Sequence, residues 1–307
     1  MHFGVDLGGT KIEAVVLGAD GSEKFRERIP SPRGDYRATL DAIAGLHARA
    51  TAACGALSTV GIGTPGAVIP ETGLMKNCNS TWLNGRPLAQ DLADRLGTEL
   101  VLANDADCFA LSEATDGAGA AGRVVFGVIL GTGVGGGIVV DGKLLSGPNA
   151  IAGEWGHNPL PPLAGAPEAV LARRDALPSR ACYCGRTDCV ETWLAGPGLV
   201  GTAQALGVNA DTGAEVMGRL SDDPAALAAF DLYLWQLASS LSTVINVLDP
   251  DIIVLGGGVS RVRMLYDGVV KRWDAFVFSD RVHTQLLPAR YGDASGVRGA
   301  AWLGQRR

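Results

Sequence analysis

Asn104 and Asp105 stand side by side after a short apolar segment, at the start of a helix-like pattern. On residue type alone they have two interpretations. Asparagine and aspartate are preferred N-terminal caps of helices. An aspartate that is ionised at neutral pH also accepts the proton of a hydroxyl group attacking an electrophile, while the neighbouring asparagine hydrogen-bonds the same molecule. Both interpretations are open at this point.

Three glycine-rich turns each follow an apolar, strand-like segment: DLGGTK (6–11), GTGVGGG (131–137) and GGG (256–258). Glycine lets backbone N–H groups approach phosphate oxygens, and a hydroxyl and an ammonium group add a hydrogen bond and a charge. A single turn of this kind also fits a plain hairpin. The second turn has more glycine than a hairpin needs, and glycine weakens strands. We therefore predict a nucleotide phosphate site, with Asp6 holding Mg²⁺ through water. Its predicted residues are Asp6, Gly8, Gly9, Thr10, Lys11, Gly131, Thr132, Gly133, Gly256, Gly257 and Gly258.

Three of the six cysteines, Cys182, Cys184 and Cys189, lie within eight residues of one another. In a chain without a secretory leader, such a cluster favours a metal site over disulfides. Tetrahedral zinc needs a fourth ligand beside three thiolates. A set of reduced structural thiols is the alternative.

Strand-like and helix-like segments alternate along the chain, which is typical of an α/β sheet protein. Near residue 123 the opening pattern of strand, glycine turn and strand starts again, so the chain contains a weak internal repeat. Two α/β halves that each open on such a hairpin predict a ligand cleft between them.

The composition excludes several classes of protein. The 307 residues are 47% hydrophobic and 19% charged, which supports a buried core and argues against disorder. A net charge of −6 without a basic run argues against nucleic acid and anionic membranes as partners. The first residues enter a strand pattern at once, and the longest uncharged run (124–140) is short and glycine-rich. We expect a cytoplasmic protein.

Four further motifs accompany the turns: GTPG (63–66), NDAD (104–107), EWGH (154–157) and CYCGRTDCVE (182–191). None of the turns is a Walker loop, and DLGGTK lacks the following helix of a dinucleotide fingerprint. The turns in this order resemble the superfamily of actin, hexokinase and heat-shock-protein ATPases. With the four motifs, nearly the whole chain resembles the ROK family of bacterial sugar kinases and repressors. NSTWLNG (79–85) and GEWGHNPLP (153–161) resemble its fructokinase branch.

This resemblance implies an α/β fold of the actin/hexokinase-like (ribonuclease H-like) type, a two-domain ATPase with an interdomain cleft. Residues 1–120 would form a small α/β domain with the first phosphate turn and the catalytic aspartate. Residues 121–292 would form a larger α/β domain with the second turn, the zinc site and an adenosine-binding turn. A helix over about 293–307 would pack back on the first domain.

The resemblance also assigns residues to roles. Asp105 would be the catalytic base. The zinc ligands would be His157, Cys182, Cys184 and Cys189. The sugar-binding residues would be Gly66, Asn79, Asn104, Asp105, Glu154, His157 and Glu191. Asp188 stands where the family usually has glycine, and since aspartate tolerates a left-handed backbone, we expect the cysteine loop to keep its shape.

The function implied is transfer of the γ-phosphoryl group of ATP to the 6-hydroxyl of a hexose, with Mg²⁺ and a structural Zn²⁺. The fructokinase-like segment with Trp82 and Leu83 favours fructose, with mannose or glucose also possible substrates. An N-acetylglucosamine or N-acetylmannosamine kinase of the same family is the alternative. A transcriptional repressor is disfavoured because no DNA-binding region precedes Asp6. Family members are commonly dimers, so we expect a homodimer.

Overall fold

A computed structural model describes residues 1–305, and the chain divides into two compact units. Within the described residues, the first unit consists of residues 1–121, 137–153 and 289–305. The second unit consists of residues 122–136 and 154–288. The first unit is therefore discontinuous in the sequence.

The strands are β1 (His2–Leu7), β2 (Lys11–Leu17), β3 (Glu23–Pro30), β4 (Thr59–Thr64), β5 (Ala67–Val68), β6 (Met75–Lys76), β7 (Val101–Asn104), β8 (Val124–Leu130), β9 (Val134–Val140), β10 (Lys143–Leu144), β11 (Ile252–Gly256) and β12 (Gln285–Pro288). The helices are α1 (Tyr36–Cys54), α2 (Leu88–Leu96), α3 (Asp105–Thr115), α4 (Glu168–Asp175), α5 (Val190–Leu194), α6 (Gly196–Ala205), α7 (Gly213–Gly218), α8 (Pro224–Leu248), α9 (Arg263–Trp273) and α10 (Ser295–Trp302).

The first unit contains a five-stranded sheet in the order β3-β2-β1-β4-β7. β1 pairs antiparallel with β2 and parallel with β4, and β4 pairs parallel with β7. β1 is almost entirely buried, because α1 and α10 both pack on it. A strand covered on both faces reads as a continuous apolar run, which matches its sequence.

Residues 137–153, which the sequence predicts as part of the second domain, belong to the first unit. The reason is the second half of β9, which packs on α3. A Cβ atom on Gly137 would lie 2.7 Å from the carbonyl oxygen of Ala106. Residues 289–292, also assigned to the second domain, lie in the first unit as well.

The second unit contributes most of a sheet in the order β10-β9-β8-β11-β12. β8 pairs parallel with β11, and Gly256 lies opposite Ile129. The long helix of this unit is α8, whose first turn is capped by the Asp223 carboxylate. That carboxylate accepts a hydrogen bond of 2.8 Å from the N–H group of Ala225.

Among residues 1–305, no helix combines the length and the apolar character needed to cross a lipid bilayer.

Candidate active site

Asn104 and Asp105 lie at the junction of β7 and α3, and the two side chains act differently. The Asn104 side chain caps the helix by accepting a hydrogen bond of 2.6 Å from the N–H group of Asp107. Asp105 is the first helical residue, and its Oδ1 accepts a hydrogen bond of 2.8 Å from the Ala106 N–H group. The cap is thus provided by Asn104, which leaves the exposed Asp105 carboxylate available for chemistry.

Two carboxylates of the first unit have raised pKa values. Protein atoms partly desolvate Asp105 and raise its pKa above the ordinary value, although the side chain keeps contact with water. Burial raises the pKa of Asp6 to about 6, and the negative charges of Asp105 and Glu13 act in the same direction. Asp6 lies at the end of β1 directly opposite Glu13 on β2. A cation bound at Asp6 would relieve this repulsion, so the residues present fit the hard-oxygen chemistry of Mg²⁺.

The first glycine turn joins β1 to β2 tightly. The N–H group of Gly8 donates a hydrogen bond of 3.0 Å to the Lys11 carbonyl oxygen. The Thr10 side chain is exposed and that of Lys11 is half-buried. The turn therefore presents a hydroxyl and an ammonium group beside its backbone, as its sequence predicts.

Of the other predicted sugar-binding residues in the first unit, Gly66 and Asn104 come together. Both line one cavity of about 360 Å³. Thr64 holds this region in place, since its hydroxyl donates a hydrogen bond of 2.8 Å to the Gly66 carbonyl oxygen. Asn79 is exposed and does not line that cavity.

The second and third glycine turns follow neighbouring strands of the second unit. Gly131 accepts a hydrogen bond of 2.7 Å from the N–H group of Gly196, which ties the start of α6 to the second turn. The third turn begins at Gly256, beside the end of β8 that leads into the second turn. The hydroxyl of Ser260 fixes it through a hydrogen bond of 2.8 Å to the Gly257 carbonyl oxygen.

Glu191, at the start of α5, contacts the second glycine turn. Its Oε2 accepts a hydrogen bond of 2.9 Å from the N–H group of Val134. Glu191 and Thr132 also line a cavity of about 390 Å³ in the second unit. The sequence predicts Glu191 only as a sugar ligand, and the contact with the turn is an additional finding.

Glu154 directly precedes a short 3₁₀ turn over Trp155–His157, and His157 is the last residue of that turn. The indole N–H group of Trp155 donates a hydrogen bond of 3.1 Å to the Gly135 carbonyl oxygen on β9. Gly156 packs directly on the Val134 carbonyl group, where a Cβ atom would overlap it. These two contacts explain why tryptophan and glycine occupy positions 155 and 156. They also fix Glu154 and His157 relative to the second glycine turn.

His157 and the three clustered cysteines place their ligand atoms within 4.8 Å of one another. The distance from Cys182 Sγ to His157 Nδ1 is 3.6 Å, and that from Cys184 Sγ to Cys189 Sγ is also 3.6 Å. Zn–S bonds of about 2.3 Å in a tetrahedron require sulfur atoms roughly 3.8 Å apart. A hydrogen bond with Arg186 lowers the pKa of Cys184 to about 6, which favours the thiolate. The four residues therefore fit a zinc ion.

Two residues of the cysteine loop have contacts that the sequence does not reveal. Asp188 adopts the left-handed backbone expected for it, with φ of 52°. Its carboxylate also accepts hydrogen bonds from the Arg180 N–H group at 3.0 Å and the Trp193 indole at 2.9 Å. The Tyr183 hydroxyl lies 2.9 Å from His157 Nε2. The only available signal for Tyr183 is its position between two predicted metal ligands.

The segment that favours fructose in the sequence does not present its large side chains to a ligand. Leu83 is completely buried in the core of the first unit. Trp82 packs against the same core, and its indole N–H group donates a hydrogen bond of 3.2 Å to the Thr39 hydroxyl on α1. Leu83 is therefore a core residue and the half-buried Trp82 packs against that core, so neither residue type indicates which sugar is bound.

Comparison with known proteins identifies the family of this chain and several enzymes that it resembles. A sequence profile of the ROK family matches residues 2–307. The chain is 40% identical over 305 residues to an N-acetylgalactosamine kinase of Shewanella sp. (strain ANA-3), covering 99% of this chain and 96% of that protein. It is 39% identical over 313 residues to an N-acetyl-D-glucosamine kinase of Erwinia tasmaniensis, covering 99% of both.

Solved structures show the same fold. A ROK hexokinase from Thermus thermophilus superposes with a TM-score of 0.84 at 27% identity, over 99% of this chain and 97% of the other. A ROK family glucokinase from Streptomyces griseus, solved with glucose and AMPPNP, superposes with a TM-score of 0.74 at 28% identity. That match covers 99% of this chain and 98% of the other. The predicted actin/hexokinase-like α/β fold is confirmed.

Proposed function

The chain belongs to the ROK family and is a sugar kinase of that family, and on this basis we propose that it phosphorylates the 6-hydroxyl of an N-acetyl-D-hexosamine with ATP. The observation that carries the proposal is the full-length similarity to N-acetylgalactosamine and N-acetyl-D-glucosamine kinases. An N-acetylhexosamine kinase is the alternative that the sequence leaves open beside a fructokinase. The preference for fructose is not supported, because those relatives are named as N-acetylhexosamine kinases and Leu83 lies in the core with Trp82 packed against it.

Asp105 acts as the base in the proposed reaction. Its carboxylate accepts the proton of the sugar 6-hydroxyl as that oxygen bonds to the γ-phosphorus. The bond from the γ-phosphorus to the β–γ bridging oxygen breaks, and ADP leaves with the electron pair. Asn104 keeps Asp105 in place by capping α3, and its side chain is proposed to hydrogen-bond the sugar as well.

The glycine turns supply the phosphate-binding groups. Residues 8–11, 131–133 and 256–258 are proposed to hold the phosphates and the adenosine of ATP through backbone N–H groups and the side chains of Thr10, Lys11 and Thr132. Asp6 would hold Mg²⁺, which, when bound, neutralises negative charge on the phosphate oxygens. Gly66, Asn79, Glu154, His157 and Glu191 are proposed to complete sugar recognition. The carboxylates of Glu154 and Glu191 accept hydrogen bonds from sugar hydroxyls, and His157 would contact the sugar through Nε2, the nitrogen that does not bind zinc.

We propose that the cluster of His157, Cys182, Cys184 and Cys189 binds one structural zinc ion. The spacing of the ligand atoms supports this, and so does the Tyr183 hydroxyl beside His157 Nε2. A histidine whose Nδ1 binds a metal carries its proton on Nε2, and a partner on that nitrogen fixes the ring. A homodimer and a cytoplasmic location are retained as proposals on the resemblance alone.

A coupled assay of ADP release tests the substrate. Purified protein is supplied with Mg-ATP and, in separate reactions, N-acetylglucosamine, N-acetylgalactosamine, N-acetylmannosamine, glucose, mannose or fructose. We expect the highest kcat/KM for one of the three N-acetylated sugars, at least tenfold above that for fructose. A kcat/KM for fructose equal to or above those of the N-acetylated sugars would contradict the proposal.

A further inference from the structure

Arg33 lies between β3 and α1 and contacts the first glycine turn through its side chain. Its Nε donates a hydrogen bond of 3.1 Å to the carbonyl oxygen of Gly9. The side chain is exposed, and no catalytic motif includes it. The contact spans 24 positions of the sequence, so it is not an incidental consequence of chain neighbourhood.

The carbonyl group that Arg33 holds belongs to the central peptide of the turn, between Gly9 and Thr10. A trans peptide is planar, so its C=O and N–H groups point in opposite directions. The bond from Arg33 on the carbonyl side therefore directs the Thr10 N–H group away from Arg33. Because Arg33 fixes the Gly9 carbonyl group, it also fixes the direction of the Thr10 N–H group, which would meet a phosphate oxygen.

The remaining hydrogen bonds of the turn involve other groups. The Gly8 N–H group donates to the Lys11 carbonyl oxygen at 3.0 Å, and the Ser31 N–H group donates to the Thr10 carbonyl oxygen at 3.0 Å. Within the described part of the chain, the N–H groups of Gly9 and Thr10 donate to no backbone carbonyl. Both N–H groups can therefore donate to a ligand.

A central turn peptide is the part of a hairpin that rotates most easily. Turns of types I and II differ in the direction of this peptide, and glycine on one side lowers the steric resistance to the change. Ser31 acts through its main chain and holds the next peptide. Arg33 is therefore the side chain that holds the central one.

We propose that Arg33 is a positioning residue for nucleotide binding: it orients the Gly9–Thr10 peptide so that its N–H group meets an oxygen of the terminal phosphates. The inference rests on the proposed ATP-dependent function. The guanidinium lies on the carbonyl side of the peptide, so it acts through the turn and not by direct contact with phosphate. Its positive charge also polarises the peptide and strengthens the N–H donor.

The experiment compares Arg33→Ala, Arg33→Lys and the control Arg37→Ala, which removes an exposed arginine from the first turn of α1. Each variant is measured for kcat and KM for ATP and for sugar, for the dissociation constant of AMPPNP, and for melting temperature. For Arg33→Ala we expect kcat/KM for ATP to fall about tenfold and the dissociation constant of AMPPNP to rise about fivefold or more. The KM for sugar and the melting temperature should stay close to wild type. Arg33→Lys keeps a charged donor and should recover most of the loss.

Two results would overturn the inference. One is an Arg33→Ala variant that matches Arg37→Ala in AMPPNP affinity and kcat/KM for ATP. The other is a loss that follows a lower melting temperature, or that the lysine variant does not recover, since either outcome assigns Arg33 a merely structural role. If the wild-type protein binds AMPPNP but phosphorylates no sugar, the proposed function fails, and the AMPPNP affinities of the variants still decide the role of Arg33.

Discussion

At the scale of single residues, the structure distinguishes the helix-capping residue from the candidate base, whereas the sequence allows Asn104 and Asp105 either role. Asn104 and Asp105 are both good helix caps, and both also fit a sugar-phosphorylating site. In the structure the capping hydrogen bond from Asp107 goes to Asn104. One carboxylate oxygen of Asp105 accepts a hydrogen bond from the N–H group of its helical neighbour Ala106. A substitution at Asp105 can therefore test catalysis without removing the cap.

Asp105→Asn should fold normally, bind AMPPNP and lose turnover. Asparagine has nearly the same shape, but its amide does not accept a proton at neutral pH. General-base catalysis typically contributes about 10²–10⁴ in rate, so kcat should fall by at least two orders of magnitude. The measurements are kcat, AMPPNP affinity and melting temperature. Asn104→Ala is the comparison, since it removes the cap and should lower the melting temperature, with a cost of about 1 kcal/mol. Near-normal turnover in Asp105→Asn would exclude it as the base.

The pH profile gives this prediction a second readout. Asp105 must be ionised to accept a proton, and its pKa is raised by partial desolvation. The acid limb of kcat/KM should therefore lie above the ordinary aspartate pKa near 4, with activity lost as the pH falls through it. The pKa of Asp6 is raised to about 6, partly by the charge of Asp105, so the acid limb belongs to the interacting pair. An acid limb at or below pH 4 would contradict the raised pKa values of Asp6 and Asp105.

At the scale of elements, the cysteine loop and the 3₁₀ turn before it form the proposed metal site. Cys184→Ala should lower zinc content from about one ion per chain and lower the melting temperature, because the binding energy of a structural site is folding energy. Elemental analysis and thermal unfolding measure the two effects. Cys54→Ala, at the end of α1, is the matched control and should keep its zinc. Wild-type protein that is free of zinc and indifferent to chelators would refute the site.

Much of the fold follows from local sequence signals, and the rest depends on distant contacts. The hairpins around the first two glycine turns, the long helix α8 and the strand β11 occur where the apolar patterns and the caps predict them. The stretch 141–195 is rich in glycine and proline, which is typical of loops, yet it contains α4 and α5. α5 has five residues, too few for a periodic pattern, and it is held by contacts with α6 and α8. Such contacts leave no local signal.

Prediction of the candidate site is limited in the same way, because distant contacts leave no local signal in the sequence. Residue type and spacing predict the cysteine cluster, and its ligand atoms do converge. The contact of Glu191 with Val134 crosses 57 positions, and that of Arg33 with Gly9 crosses 24. The interpretation of Trp82 and Leu83 meets the same limit, because a bulky apolar pair near a site has the same sequence whether it faces a ligand or packs on the core. Burial decides between these cases, and burial is set by the whole fold.

At the scale of the whole molecule, the first unit is completed by the end of the chain. α10 packs on β1, β4 and α3, which come from the first 115 residues. Glu113 of α3 is fully buried and holds the segment before α10. Its carboxylate accepts hydrogen bonds from the N–H groups of Ala118, Arg290 and Tyr291 and from the hydroxyl of Ser295. The helix that begins with Asp105 is therefore held in place by residues nearly 180 positions away.

The packing of α10 on α3 is tightest at Gly299, and replacing this residue tests that packing. It lies in the middle of α10, and a Cβ atom there would overlap the backbone carbonyl group of Cys108 on α3. Alanine favours an isolated helix over glycine by about 1 kcal/mol, so local propensity predicts that Gly299→Ala stabilises the protein. The packing predicts the opposite, because the clash is with backbone and overpacking typically costs about 1–3 kcal/mol. We expect Gly299→Ala to lower the unfolding free energy by at least about 2 kcal/mol in urea titrations, and to lower kcat because α3 carries Asp105.

Gly213→Ala is the control for this prediction. Gly213 is a helical glycine in α7 whose Cβ atom would meet nothing within 4 Å, so its substitution should leave the unfolding free energy and kcat nearly unchanged. Equal effects of the two substitutions would show that α10 does not hold α3 as closely as the structure indicates.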